Sequence, residues 1–95
     1  MIKCRFCEIV KSRNVNIIFE SENNIGFLDK SPLNKGHTLL IPKKHRADIN
    51  ELSLKEYLSI MKDARKISKA IKKVFSPFKV GIFILGFDVY HLHIH

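Results

Sequence analysis

The last six residues, Tyr90-His91-Leu92-His93-Ile94-His95, put an imidazole at every second position. Successive side chains on a strand alternate faces, so the three histidines point one way and Leu92 and Ile94 the other. Neighbouring histidines on that face stand roughly 6.5–7 Å apart, too far to bond each other directly but well spaced to line a substrate. Three imidazoles buried on one face without partners would cost stability, so the pattern points to chemistry. Ordinary sheet-facing histidines are one alternative reading. A catalytic metal held by two or three of them is another, because imidazole is a common zinc ligand. An expression tag would lack the alternating Leu and Ile.

A second reactive pair sits at the other end of the chain, Cys4 and Cys7 in a C-x-x-C spacing. In a reducing cytosol this spacing suggests metal or redox chemistry before a structural disulfide. A zinc ribbon needs a second cysteine pair, and the chain has only these two cysteines. A thioredoxin-like motif normally follows a strand and opens a helix, whereas this pair lies near the chain start. If the two thiols bind a metal, the remaining ligands must be histidines.

The elements that must position these groups can be read from periodicity. Residues 4–11 suit a short helical turn. Residues 15–20 are β-branched and aromatic and read as a strand; residues 21–24 form a turn and 25–28 a second strand, together a hairpin. Residues 29–36 are a polar loop punctuated by Pro32 and Gly36. Residues 37–41 read as a third strand, stopped by Pro42, which cannot donate to a ladder.

Ser53 and Glu56 then form an S-x-x-E capping box. Behind it Leu54, Leu58, Met61, Ala64, Ile67, Ile71 and Val74 recur at helical spacing as one apolar stripe, with lysines mainly on the other side. The helix should end near Ser76, before Pro77. Residues 79–85 read as a buried strand, 86–88 as a tight turn and 89–95 as the last strand. The expected fold is α+β, an antiparallel sheet of about five strands with one long helix packed on it.

Bulk properties bound the function more loosely. The chain has 95 residues, 45% hydrophobic and 27% charged, ordinary for one globular domain spanning residues 1–95. Lys and Arg number 17 against 9 acidic residues, a net charge of +8. A basic surface attracts phosphates, but many of these lysines form one solvated helix face, and nucleic acid is not indicated beyond the charge. No apolar run approaches the roughly 20 residues that span a bilayer, and the N-terminus lacks a signal-peptide stretch. Both features suit a cytoplasmic protein with no membrane partner.

Four blocks in order resemble the histidine triad (HIT) superfamily, in its zinc-containing C-x-x-C form. They are Cys4-Arg5-Phe6-Cys7-Glu8-Ile9-Val10, Phe27-Leu28-Asp29-Lys30-Ser31-Pro32, Gly36-His37-Thr38-Leu39-Leu40-Ile41-Pro42-Lys43-Lys44-His45, and the terminal His91-Leu92-His93-Ile94-His95. The resemblance implies a nucleotide hydrolase or nucleotidyl transferase that cleaves nucleoside phosphoramidates or dinucleoside polyphosphates. His93 would attack phosphorus and form a covalent nucleotidyl-histidine intermediate, and His95 would contact phosphate oxygens or the leaving group. Asp29 would bind the ribose hydroxyls, with a turn residue as its alternative. Phe6, Ile9 and Phe27 would line the base pocket with Arg5 nearby, although each also suits plain core. A structural Zn2+ would be held by Cys4, Cys7, His45 and His91. His37, as the first residue of its strand, reads as structural, with exposure to a ligand as its alternative. The resemblance also implies a homodimer that extends the sheet.

The chain departs from that pattern in two places. Phe87 and Asp88 stand where the family usually has a glutamine and a hydroxyl or carboxyl residue, so amide donors to phosphate are missing. The family also usually continues past the third histidine, so an end at His95 reads as a C-terminal truncation. These departures favour the alternative of a zinc-stabilised nucleotide-binding or interaction protein with little catalysis. A zinc hydrolase using the three histidines is a third reading, one that leaves Cys4 and Cys7 without an obvious partner for His45.

Overall fold

A computed structural model describes residues 4–95; residues 1–3, part of the N-terminus read above for leader character, lie outside the described residues. The element order is α1 (Arg5–Ser12), β1 (Ile17–Glu20), β2 (Asn24–Leu28), β3 (Thr38–Pro42), a 3-10 turn (Ile49–Glu51) and α2 (Leu54–Phe75). The three strands form one antiparallel sheet in the order β1-β2-β3. The expected hairpin, third strand and capped helix are present. Ser53 Oγ accepts the Glu56 N–H at 3.1 Å, and the Ser53 N–H reaches Glu56 Oε1 at 2.9 Å. At the far end Ser76 turns left-handed, and its N–H closes on Lys72 O.

The sheet is covered on both faces. Leu40, Ile94 and Leu92 pack with Ile60, Ala64 and Ile67 of α2. Leu39, Ile41, Ile25 and Phe27 pack on the opposite face with Phe6 of α1. The alternation of β3 therefore sends Leu40 to one helix and its neighbours to the other. The short helix expected over residues 4–11 is α1, and it closes the face on which His91 and His93 lie.

Two expectations need correction. Among the described residues the sheet has three strands, and residues 79–85 and 89–95 are not strands. They touch the sheet through single rungs, Leu40 with Ile94 and Ile94 with Ile84, which mark where fourth and fifth strands would lie. The ladder stops there because nearby backbone groups bond elsewhere. The His91 N–H turns back to Val89 O, the Leu92 N–H goes to Arg46 O, and His91 O accepts from the His93 ring.

The apolar stripe is also displaced: Leu54, Leu58 and Val74 are 72%, 57% and 71% exposed, while Ile60 is buried. A 22-residue helix is about 33 Å long and overhangs strands of four or five residues, so its ends leave the core.

One polar cluster ties helix to hairpin. Asp63, 4% exposed on the buried side of α2, accepts from Ser21 Oγ at 2.6 Å and from Asn24 Nδ2 at 2.7 Å. Asn24, at the start of β2, is itself 2% exposed. Among the described residues no buried side-chain polar atom lacks a partner.

Candidate functional site

The cysteine spacing and the start of α1 are one feature. Cys4 is the N-cap, its sulfur accepts the Cys7 N–H at 3.4 Å, and one helical turn brings both sulfurs to the same end. Opposite them stand His45, just after β3, and His91. Cys4 Sγ lies 3.2 Å from His91 Nδ1, Cys7 Sγ 3.3 Å from His45 Nδ1, and the two Nδ1 atoms lie 3.2 Å apart. A tetrahedral zinc with its usual bond lengths spaces such ligands about 3.3–3.8 Å apart, and all four donor atoms here fall within 4.8 Å of one another.

The tautomer fits as well. His91 Nε2–H donates to Pro42 O at 2.9 Å, which leaves the Nδ1 lone pair facing the sulfurs. Burial, and then the charges of His45 and His93, lower the His91 pKa, so the ring is neutral as a ligand must be. Burial first, then the adjacent Cys4 thiol, push the Cys7 thiol up to about 11. Without a cation the two sulfurs do not share charge readily; a divalent ion would remove that conflict. Cys4, Cys7, His45 and His91 thus form a possible metal site.

His93 and His95 are held differently. His93 is 1% exposed, and its Nδ1–H donates to the carbonyl of His91 at 2.8 Å. Nε2 is the free nitrogen, with the Asp88 carboxylate 3.5 Å away. The edge of Phe6 meets the His93 ring at a centroid distance of 5.0 Å and also faces Phe27 and His91. His95 stacks on Phe83 and lies 5.0 Å from His93, ring to ring.

His37 enters this site through Gly36. Gly36 has φ +83°, and a Cβ there would stand 2.7 Å from the Phe75 ring, so only glycine turns the chain into β3 at this point. His37 Nδ1 accepts the Leu33 N–H at 3.1 Å, so the ring proton is on Nε2, which donates to His95 Nδ1 at 3.0 Å. Asp29 Oδ2 is 3.6 Å from the same Nε2, and its Oδ1 accepts the Ser31 N–H. Asp29, His37 and His95 have donor atoms close enough for a metal. The tautomer argues instead for a hydrogen-bond relay, because a metal would need the nitrogen that already carries the proton. A cavity of about 750 Å³ between α2 and residues 77–83 opens beside His37 and His95.

The chain matches the HIT domain over residues 11–95. It belongs to the HIT family. A HIT-like protein of Methanocaldococcus jannaschii is 33% identical over 97 residues, covering 97% of this chain and 75% of that one. The zinc-bound crystal structure of a histidine triad family protein from Mycobacterium smegmatis superposes with a TM-score of 0.90. It is 30% identical, over 98% of this chain and 72% of that one. An adenosine 5'-monophosphoramidase of Schizosaccharomyces pombe is 39% identical over 71 residues, 74% of this chain and 53% of its own.

Within this HIT chain the expected residues divide into groups. Cys4, Cys7, His45 and His91 come together in one cluster. Phe6 and Phe27 are 3% exposed and belong to the core, and Ile9 packs against the same cluster, so all three support the site from within. Asp29 is partly exposed beside His37. His37 was expected to be structural; its bond to His95 makes it part of the site. Sequence places His37 directly before β3, but its partner is 58 residues away and could not be read from it.

Proposed function

We propose that this HIT protein is a nucleotide hydrolase or nucleotidyl transferase acting through a covalent intermediate on His93. The observation that carries this reading is the His93 tautomer. With Nδ1–H held by the His91 carbonyl, the Nε2 lone pair is free to attack phosphorus. His95, its Nδ1 occupied by His37, presents Nε2–H as a neutral donor to a phosphoryl oxygen. Asp29 would take the ribose hydroxyls beside this pair. The presence of an adenosine 5'-monophosphoramidase among the relatives supports the P–N branch of that reading.

Zinc at Cys4, Cys7, His45 and His91 fits the donor set, and its role would be to fasten α1 and Phe6 to the sheet. The metal would thereby fix the wall behind His93, while the bond-making atoms belong to the chain. Among the described residues no helix is long and apolar enough to cross a membrane, and a cytoplasmic homodimer completes the proposal.

The test is rapid trapping of the protein with labelled adenosine 5'-phosphoramidate or diadenosine polyphosphate. Label on His93 that vanishes in His93→Ala supports the enzyme. Tight nucleotide binding with no label and no turnover supports a binding module instead, a reading favoured by the Asp88 carboxylate at the attacking nitrogen.

A further inference from the structure

The outer face of α2 carries Lys62, Arg65, Lys66, Lys69, Lys72 and Lys73, all exposed. On a helix they fall within one arc of about 120° and recur about every 4.5–6 Å along the axis. Residues 64–87 contain no acidic side chain, and Asp63 is turned into the core. Among the described residues none of the six cations is ion-paired with a carboxylate. A row of lysines alone is commonly a solvated helix face, but this row ends at a shaped feature.

Beyond Ser76 the chain turns back beside α2. Lys72 Nζ donates to Pro77 O at 2.9 Å and to Phe78 O at 3.1 Å, which fixes the segment and leaves the Phe78 ring 95% exposed. Lys79 Nζ lies 6.0 Å from the centre of that ring. Phe78, Lys69, Lys72 and Lys79 line a hollow of about 360 Å³ together with Ser68 and Val80. No histidine or cysteine borders it, so it is separate from both sites described above.

Cations at that spacing suit the phosphates of an extended strand, and an open aromatic ring takes a base whose face is free. In a duplex the bases are stacked on one another, so the ring selects a single strand. A bilayer fits less well. An interfacial helix buries an apolar face in lipid, and the apolar face of α2 is already packed in the core through Ile60, Ala64 and Ile67.

We propose that this face binds single-stranded nucleic acid without regard to sequence. Its phosphates lie on Lys62, Arg65, Lys66, Lys69 and Lys73, and one base stacks on Phe78. Lys72 holds the ring in place, and Lys79 neutralises a phosphate beside the stacked base.

The test is fluorescence anisotropy of a labelled oligothymidylate of about 12 nucleotides with the full chain, over a range of salt. The single strand binds more tightly than a duplex of equal length. Lys66→Gln, Lys69→Gln and Lys73→Gln combined flatten the log–log salt slope by about two, at about 0.7 per phosphate. Phe78→Ala weakens binding about tenfold with the slope unchanged, while Phe78→Tyr stays within about threefold. Excess adenosine 5'-monophosphate, the probe for the His93 site, leaves the strand bound. The substituted positions are exposed, and melting curves check that each variant folds. A strand bound no more tightly than the duplex, a slope unmoved by the triple variant, affinity unmoved in Phe78→Ala, or displacement by the mononucleotide overturns the proposal. Binding to vesicles of phosphatidylcholine and phosphatidylserine but not to the strand assigns the face to a lipid surface and overturns it too.

Discussion

His37 Nε2–H donates to His95 Nδ1 at 3.0 Å, and the Leu33 N–H on the far nitrogen of His37 fixes that direction. The two rings thus transmit a backbone hydrogen bond into the orientation of the last histidine, leaving His95 Nε2–H as a donor. Removing the relay should affect turnover more than binding. In His37→Ala, kcat should fall about tenfold, the scale of one oriented hydrogen bond, with KM and metal content little changed. His37→Asn, which retains an N–H donor, should recover part of the loss. Steady-state kinetics and metal analysis on the three proteins check this.

Acid should weaken the fold through the same ring. Burial first, then the charges of His93 and His37, lower the His95 pKa below its ordinary 6.5. Below about pH 6.5 the unfolded chain therefore binds a proton that the folded chain resists, and stability falls as pH drops toward the folded value. Above the unfolded value this contribution is fully present. Thermal melts between pH 5 and 8 should show the decline, and His95→Asn should have a shallower slope than the wild type.

Metal loading should release protons. The Cys7 thiol, at about 11 in the metal-free chain, is protonated near pH 7.5, and a metal takes the thiolate. Zinc titration in buffers of different ionisation enthalpy should report at least about one proton released per metal. Binding should approach one equivalent and fall sharply in Cys4→Ser. The melting temperature should drop in parallel, because the metal end of α1 would lose its anchor.

Asp63 should matter to stability although it lies far from the chemistry. Its carboxylate satisfies Ser21 and Asn24 in a buried junction of helix and hairpin. Asp63→Ala removes the acceptor of both donors, leaving Asn24 only its contact with Ser59 Oγ at 3.3 Å, at a cost of about 2–3 kcal/mol. Urea melts should show that loss with an unchanged slope, and zinc content should stay the same.

What could be read in advance follows how local each signal is. The capping box of Ser53 and Glu56, the hairpin and the strand that ends at Pro42 rest on neighbours in sequence, and each lies within a residue or two of where the residues put it. Alternation around His93 was legible too, because Leu92 and Ile94 are apolar and meet α2. That the last two segments fall short of strands was not legible, since β-branched composition does not reveal that His91 N–H and O bond within their own turn. Nor was the helix face, because the length of α2 exceeds the sheet it covers and periodicity cannot say which turns overhang. Asp63 interrupts the apolar face between Ile60 and Ala64, a sign of the buried junction, but its partners lie 39 and 42 residues away. The place of His37 in the site was equally hidden, since its partner is a nitrogen 58 positions distant.

His91 faces the cysteines with one nitrogen, holds the Pro42 carbonyl with the other, and steadies His93 through its own carbonyl. The orientation of the His93 ring is thus inherited from deep inside the molecule. The loop at residues 86–88 hangs outside that scaffold and shares none of these three bonds. Substitutions in that loop can therefore reshape the surface beside His93 while the bonds that orient its ring stay in place.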